Sequence, residues 1–157
     1  VRKQNDSRKH GRIMLKDSLT GLYNEWCFNE FLDLEKKRCK RSEDPSFLML
    51  ADLSKFTDAP ERKNIAKSMT GVFSEVTRDT DIKGWHVDGS VIGIMFTEMA
   101  GKEADARLIL KSIANKCLWR LESDLGIEKS SHIQISWQSL KDERIFKIQN
   151  VSNARGE

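Results

Sequence analysis

Apolar positions in this chain recur with a helical period in three stretches and cluster or alternate as strands in the others. Cys27, Phe28, Phe31 and Leu32 form one stripe, which predicts a helix over 24–40 with Asn24 as its N-cap. Ser42–Pro45 breaks the pattern, and Phe47–Ala51 reads as a buried strand ending at Asp52. After Pro60, Ile65, Met69, Val72, Phe73 and Val76 share one helical face. Two strands follow at Ile82–Val87 and Val91–Phe96, joined by Asp88-Gly89, a dipeptide suited to the positive φ of a tight hairpin turn. A helix over 102–122 places Ala106, Leu110, Ile113, Ala114, Cys117, Leu118 and Leu121 on one side. His132–Trp137 alternates as a half-buried strand, and Arg144–Ile148 supplies a last short one.

The order helix, strand, helix, hairpin, helix, strand predicts an α+β sandwich, with helices packed on a central, mostly antiparallel sheet. Residues 1–16 read as a linker or the end of an incoming helix, 17–150 as one domain, and 151–157 as a frayed tail. At 157 residues the chain can bury about 70% of the surface its unfolded form exposes. With 38% hydrophobic and 32% charged residues it is composed like a globular protein rather than a disordered one.

Neither long apolar run approaches the ~20 residues that a bilayer requires, and the basic, polar start has no apolar core of a secretory signal behind it. The three cysteines, Cys27, Cys39 and Cys117, form no CxxC pair. Cys27 and Cys117 fall on apolar helix faces and read as buried reduced thiols, which places the domain in the cytoplasm, with room for a membrane tether upstream. Net charge is +3, with basic clusters at Arg2–Arg12 and Lys36–Arg41. Glu35, Glu43 and Asp44 flank the second cluster and no aromatic pair accompanies either, so solvated faces are expected and nucleic acid is not.

Asp17-Ser18-Leu19-Thr20-Gly21-Leu22-Tyr23-Asn24 resembles the D-x-L-T-G-L-x-N signature that begins GGDEF domains. The order of elements agrees with that family from about residue 17 to residue 137. Leu50-Ala51-Asp52-Leu53-Ser54-Lys55-Phe56 is similar to its D-x-D-x-F strand and turn, and Val87-Asp88-Gly89-Ser90-Val91 stands where the GGDEF motif belongs. The resemblance implies a nucleotidyl-cyclase-like sandwich and condensation of two GTP into cyclic di-GMP. It also implies Mg²⁺ held by carboxylates of the D-x-D strand and of the hairpin.

Here Asp52 keeps the first carboxylate and Ser54 replaces the second. Val87 and Asp88 occupy the glycine positions, and Gly89 and Ser90 those of Asp and Glu. The guanine-recognition segment after Phe56 is shortened to Thr57-Asp58-Ala59-Pro60-Glu61-Arg62, and Asn64, the one nearby amide, falls inside the predicted helix. The expectation is a domain with no catalytic residues, no metal site and no cofactor.

Many members of the family carry an inhibitory R-x-x-D site five residues before the hairpin motif, and Arg78-Asp79-Thr80-Asp81 keeps that offset. The resemblance therefore implies a cyclic di-GMP receptor. Arg78 would grip guanine O6 and N7, Asp81 would accept from N1–H and N2–H, and Arg107 and Lys111 would reach phosphate. The competing expectation is that Arg78 caps its helix and pairs locally with Asp81. Implied partners are cyclic di-GMP, a homodimer and other domains of a longer protein. The implied outputs are exopolysaccharide synthesis, biofilm or motility. The alternative function is a nucleotide-independent dimerisation or interaction module. Arg41-Ser42-Glu43-Asp44 repeats R-x-x-D without the offset. His86 and Asp88 read as exposed strand polar residues rather than an acid–base pair. Trp26, Trp85, Trp119 and Trp137 are expected to fill the core and helix–sheet contacts.

Overall fold

The computed structural model describes residues 15–97, 99, 103–142 and 144–148. The basic cluster at Arg2–Arg12, most of the linker at 1–16 and the tail at 151–157 lie outside these residues. Five strands form one sheet in the order β2-β3-β1-β4-β5: β1 (Phe47–Asp52), β2 (Ile82–Val87), β3 (Val91–Phe96), β4 (Gln134–Ser139) and β5 (Ile145–Ile148). Every ladder is antiparallel. The helices are α1 (Glu25–Cys39), α2 (Ala59–Val76), α3 (Glu103–Leu125) and a short α4 (Ile127–Ser131). Among the described residues no helix is long and apolar enough to cross a membrane.

Alternation along β1 splits the core between the two faces of the sheet. Phe47, Met49 and Ala51 point to the larger core, where Ile65, Met69 and Phe73 of α2 and Leu110, Cys117 and Leu121 of α3 are buried. Leu48 points the other way, to a smaller core with Phe28 and Leu32 of α1, Met95 and Leu140. α1 sits close to the sheet because Gly84 and Gly93, paired across β2 and β3, leave space for the Phe28 ring. The ring is fully buried.

Local chemistry starts and stops the helices. Asn24 accepts from the Cys27 N–H at 2.8 Å and Asp58 from the Glu61 N–H at 3.0 Å, each satisfying an orphan donor of the first turn. α2 begins at Ala59, so Pro60 stands in its first turn, where no intrahelical N–H is missed. α3 runs three residues past the expected end, to Leu125, and Gly126 follows with φ +90°. α4 then occupies residues to which the sequence pattern assigned no element, and β4 starts at Gln134 rather than His132. Ile133, Ile135 and Trp137 nevertheless share the larger core as expected.

All three cysteines are free and buried. Burial pushes the Cys117 thiol up to about 12. The tryptophans divide. Trp85 and Trp137 are buried, whereas Trp26 is 70% and Trp119 57% exposed, against the expectation that all four fill the core.

Candidate functional site

The hairpin tip and the end of β1 meet as the sequence predicts. Asp88 and Gly89 stand in a three-residue connection, Asp88–Ser90, rather than a two-residue one, because Val87 pairs with Val91; Gly89 has φ +71°, and the Ser90 N–H donates to the Val87 carbonyl at 3.0 Å. Asp52 pairs with Val91 of β3, and the Leu53 N–H donates to the Ser90 carbonyl at 2.7 Å. Asp52 is half-buried, and its Oδ1 accepts from the Ser54 N–H at 2.8 Å.

A residue that sequence reasoning missed spans this cleft. Arg62, in the first turns of α2, donates from Nη1 to the Phe56 carbonyl at 2.7 Å and from Nε to the Gly89 carbonyl at 3.1 Å. The early start of α2 brings Arg62 there, and the planar fork lets it tie the hairpin tip to the turn after β1. On the other side of the tip, Glu25 Oε1 accepts from the Asp88 N–H at 2.9 Å.

β2 carries a bulge between Trp85 and Val87, so His86 is the extra residue. Its Nδ1 lies 2.8 Å from Asn29 Oδ1, and the Asn29 amide donates to the His86 carbonyl at 3.0 Å. Burial and then the charge of Lys36 lower the His86 pKa, partly offset by Glu25.

The Arg78–Asp81 segment lies between α2 and β2 and is closed on itself. The Asp81 carboxylate is 1% exposed, and Oδ2 accepts the Arg78 backbone N–H at 2.8 Å. Oδ1 accepts from Arg78 Nε at 3.2 Å and Nη2 at 2.9 Å. Nη2 also donates to the Thr97 carbonyl at 3.1 Å, beside the end of β3. The Arg78 side chain remains 53% exposed. A buried carboxylate accepting three hydrogen bonds fixes the plane of the guanidinium, and among the described residues Nη1 has no hydrogen-bond acceptor.

No sequence-family model matches the chain, and no curated protein matches it in sequence. Solved structures do match in shape. The coiled coil and GGDEF domain of DgcB from Caulobacter crescentus, in complex with c-di-GMP, aligns at TM-score 0.51 and 15% identity, over 71% of this chain and 60% of that one. The FimX GGDEF domain from Pseudomonas aeruginosa aligns at TM-score 0.57 and 16% identity, over 83% and 82% of the two chains. A DGC protein from Thermotoga maritima aligns at TM-score 0.59 and 20% identity, over 81% and 88%. The chain has the GGDEF fold.

Within the GGDEF fold Arg107 has local partners of its own. Its guanidinium stacks 4.1 Å from the Phe146 ring centroid, and Nη2 reaches Glu103 at 3.2 Å. Phe146 belongs to β5, at the opposite sheet edge from β2 and about 19 Å away at ordinary strand spacing. Arg107 lies one turn into α3, and the cation–π contact draws it towards that far edge. Lys111 lies on the outer side of α3, in a groove with Val76, Leu108 and Trp119. Within the Lys36–Arg41 cluster, Arg38 pairs with Glu35. No sequence pattern marks Arg62, because its two acceptors are backbone carbonyls, which any residue supplies.

Proposed function

We propose that this GGDEF-fold domain binds cyclic di-GMP through Arg78 and does not synthesise it. The observation that carries the reading is the half-exposed Arg78 guanidinium, held in one plane by the buried Asp81 carboxylate five residues ahead of the hairpin strand's turn-proximal end. A fixed fork loses less freedom on binding than a mobile one. With Asp81 fully engaged, its role becomes positioning Arg78 rather than accepting from guanine. The ligand would meet Nη1, and would exchange with the Thr97 carbonyl at Nη2. DgcB, with the same fold, is solved in complex with c-di-GMP.

The donor set at the strand end supports the absence of synthesis. Asp52 offers the one carboxylate among the motif's metal-holding positions, Ser54, Gly89 and Ser90 offer none, and Arg62 sits on the Gly89 carbonyl. Mg²⁺ takes hard oxygen ligands in strict octahedral geometry, and this set does not fit it. A cation bound beside the tip also opposes a second one there.

Calorimetric titration with cyclic di-GMP tests the receptor. Arg78→Ala should weaken binding by roughly 5- to 150-fold, the worth of a guanine-directed arginine contact. Arg78→Lys should fail to rescue, since a point charge lacks the fork. Asp81→Asn should weaken binding with Arg78 intact, and Arg41→Ala should bind like the parent. Product from GTP with Mg²⁺ or Mn²⁺ that disappears in Asp52→Ala would overturn the claim of inactivity. A second reading, a nucleotide-independent interaction module, is favoured by the closure of Asp81 onto Arg78, and a parent that gives no heat would select it.

A further inference from the structure

The two exposed tryptophans stand on helices at opposite faces of the sheet, and the surfaces around them are complementary. On the outer side of α3, Leu108 is 68% and Trp119 57% exposed. They line a groove of about 710 Å³ with Val76 of α2, Lys111, Ser112 and Lys116. Glu75 and Arg120 on the same rim pair with each other, so Lys111 and Lys116 leave the rim positive. On α1, Trp26 is 70% and Leu34 63% exposed, with exposed Glu30 and Asp33 between them.

The two patterns agree in order, though the α1 face is shorter. At 1.5 Å per residue, Leu108 and Trp119 are about 16 Å apart with the lysines between them, and Trp26 and Leu34 about 12 Å apart with the acids between them. Between its two apolar residues each face carries charge of opposite sign, with Lys37 following Leu34 on the α1 face. Exposed aromatic anchors flanked by complementary charge are the usual makings of a binding hot spot.

We propose that the α3 groove receives the outer face of α1 from a second copy of this chain. α1 of the same molecule cannot reach, because the sheet separates the two helices. A symmetric pairing of two α3 faces would oppose lysine to lysine, and one of two α1 faces would oppose acid to acid. The contact is therefore head-to-tail, and extends beyond a dimer where geometry allows. It needs no nucleotide and stands apart from the Arg78 reading.

Sedimentation equilibrium of the whole chain without nucleotide, over about 10 µM to 1 mM, tests this. The parent's weight-average mass should rise with concentration. Trp26→Glu and Trp119→Glu, both at exposed positions, should each weaken association by at least about 30-fold. An equimolar mixture of the two should recover a 1:1 dimer that grows no further, since one intact α1 face then meets one intact α3 groove. Should either variant melt below the parent, Leu34→Ser and Leu108→Ser provide the same split. A parent that stays monomeric overturns the proposal. Variants that associate like the parent, or a mixture that fails to recover the dimer, overturn it equally.

Discussion

Replacing Gly93 by alanine perturbs one contact whose geometry is fully specified. A Cβ built there lies 2.5 Å from both Cε1 and Cζ of Phe28 and 3.5 Å from Leu48 Cδ1. Ordinary carbon contacts begin near 3.5 Å, so the ring must retreat by about 1 Å. It has little room to do so, being fully buried among Leu32, Leu48, Met95 and Leu140, and on the other side it already fills the space over Gly84 that a side chain there would take. Overpacking of this kind costs about 1–3 kcal/mol. At this chain length that is a melting temperature lower by about 2–12 °C. Gly71→Ala is the opposite case: it lies inside α2 with nothing within 4 Å of its built Cβ. It should raise stability by up to about 1 kcal/mol. Thermal and urea denaturation of both variants give the signs. A double-mutant cycle with Phe28→Leu gives the coupling, because the smaller side chain should cost less in the Gly93→Ala background than in the parent. Gly93→Ala melting at or above the parent would refute the seating of α1 on the paired glycines.

Arg62→Ala should cost about 1–3 kcal/mol, since it strips charge-assisted bonds from two backbone carbonyls. Amide exchange should quicken at residues 88–90, and unchanged exchange and stability would show that the strap is idle. Stability should fall on acidification in two windows. His86, whose folded pKa lies below its ordinary 6.5, contributes stability present above that value and lost as pH falls through the lowered one. For Glu35, burial works against ionisation, but bonds from Arg38 and Ser46 win and lower its pKa, so its share is lost below 4.5. Denaturation midpoints between roughly pH 5 and 7.5 should vary less in His86→Asn than in the parent, and an equal slope would remove His86 from the account.

Sequence pattern was a good guide wherever one residue decides one local event. Asn24 and Asp58 cap helices through their own side chains, and Gly89 takes the positive φ that its turn needs. It was a poor guide where the outcome depends on what tertiary packing leaves over. Trp26 and Trp119 are large and apolar, yet Phe28 and Leu118 already face inward at neighbouring helical positions and turn them to the surface. The R-x-x-D spacing located Arg78 and Asp81 and left their local pairing as the competing expectation; the structure shows that pairing, with the carboxylate buried. α4 was missed because a five-residue helix carries too few turns to show a period.

The segment before α1 also has a protective role at the edge of the sheet. β2 is an outermost strand, and Tyr23 pairs with it at Gly84: the Tyr23 N–H donates to the Lys83 carbonyl at 3.2 Å, and the Trp85 N–H to the Tyr23 carbonyl at 2.9 Å. An open edge of this kind is a template on which another chain can add a strand. Residues 16–23 are thus a cover as well as a connection, and whatever pulls on them from upstream acts on the solubility of the domain. A version of this protein cut after Tyr23 would keep every helix and strand named above and still be the one prone to aggregate.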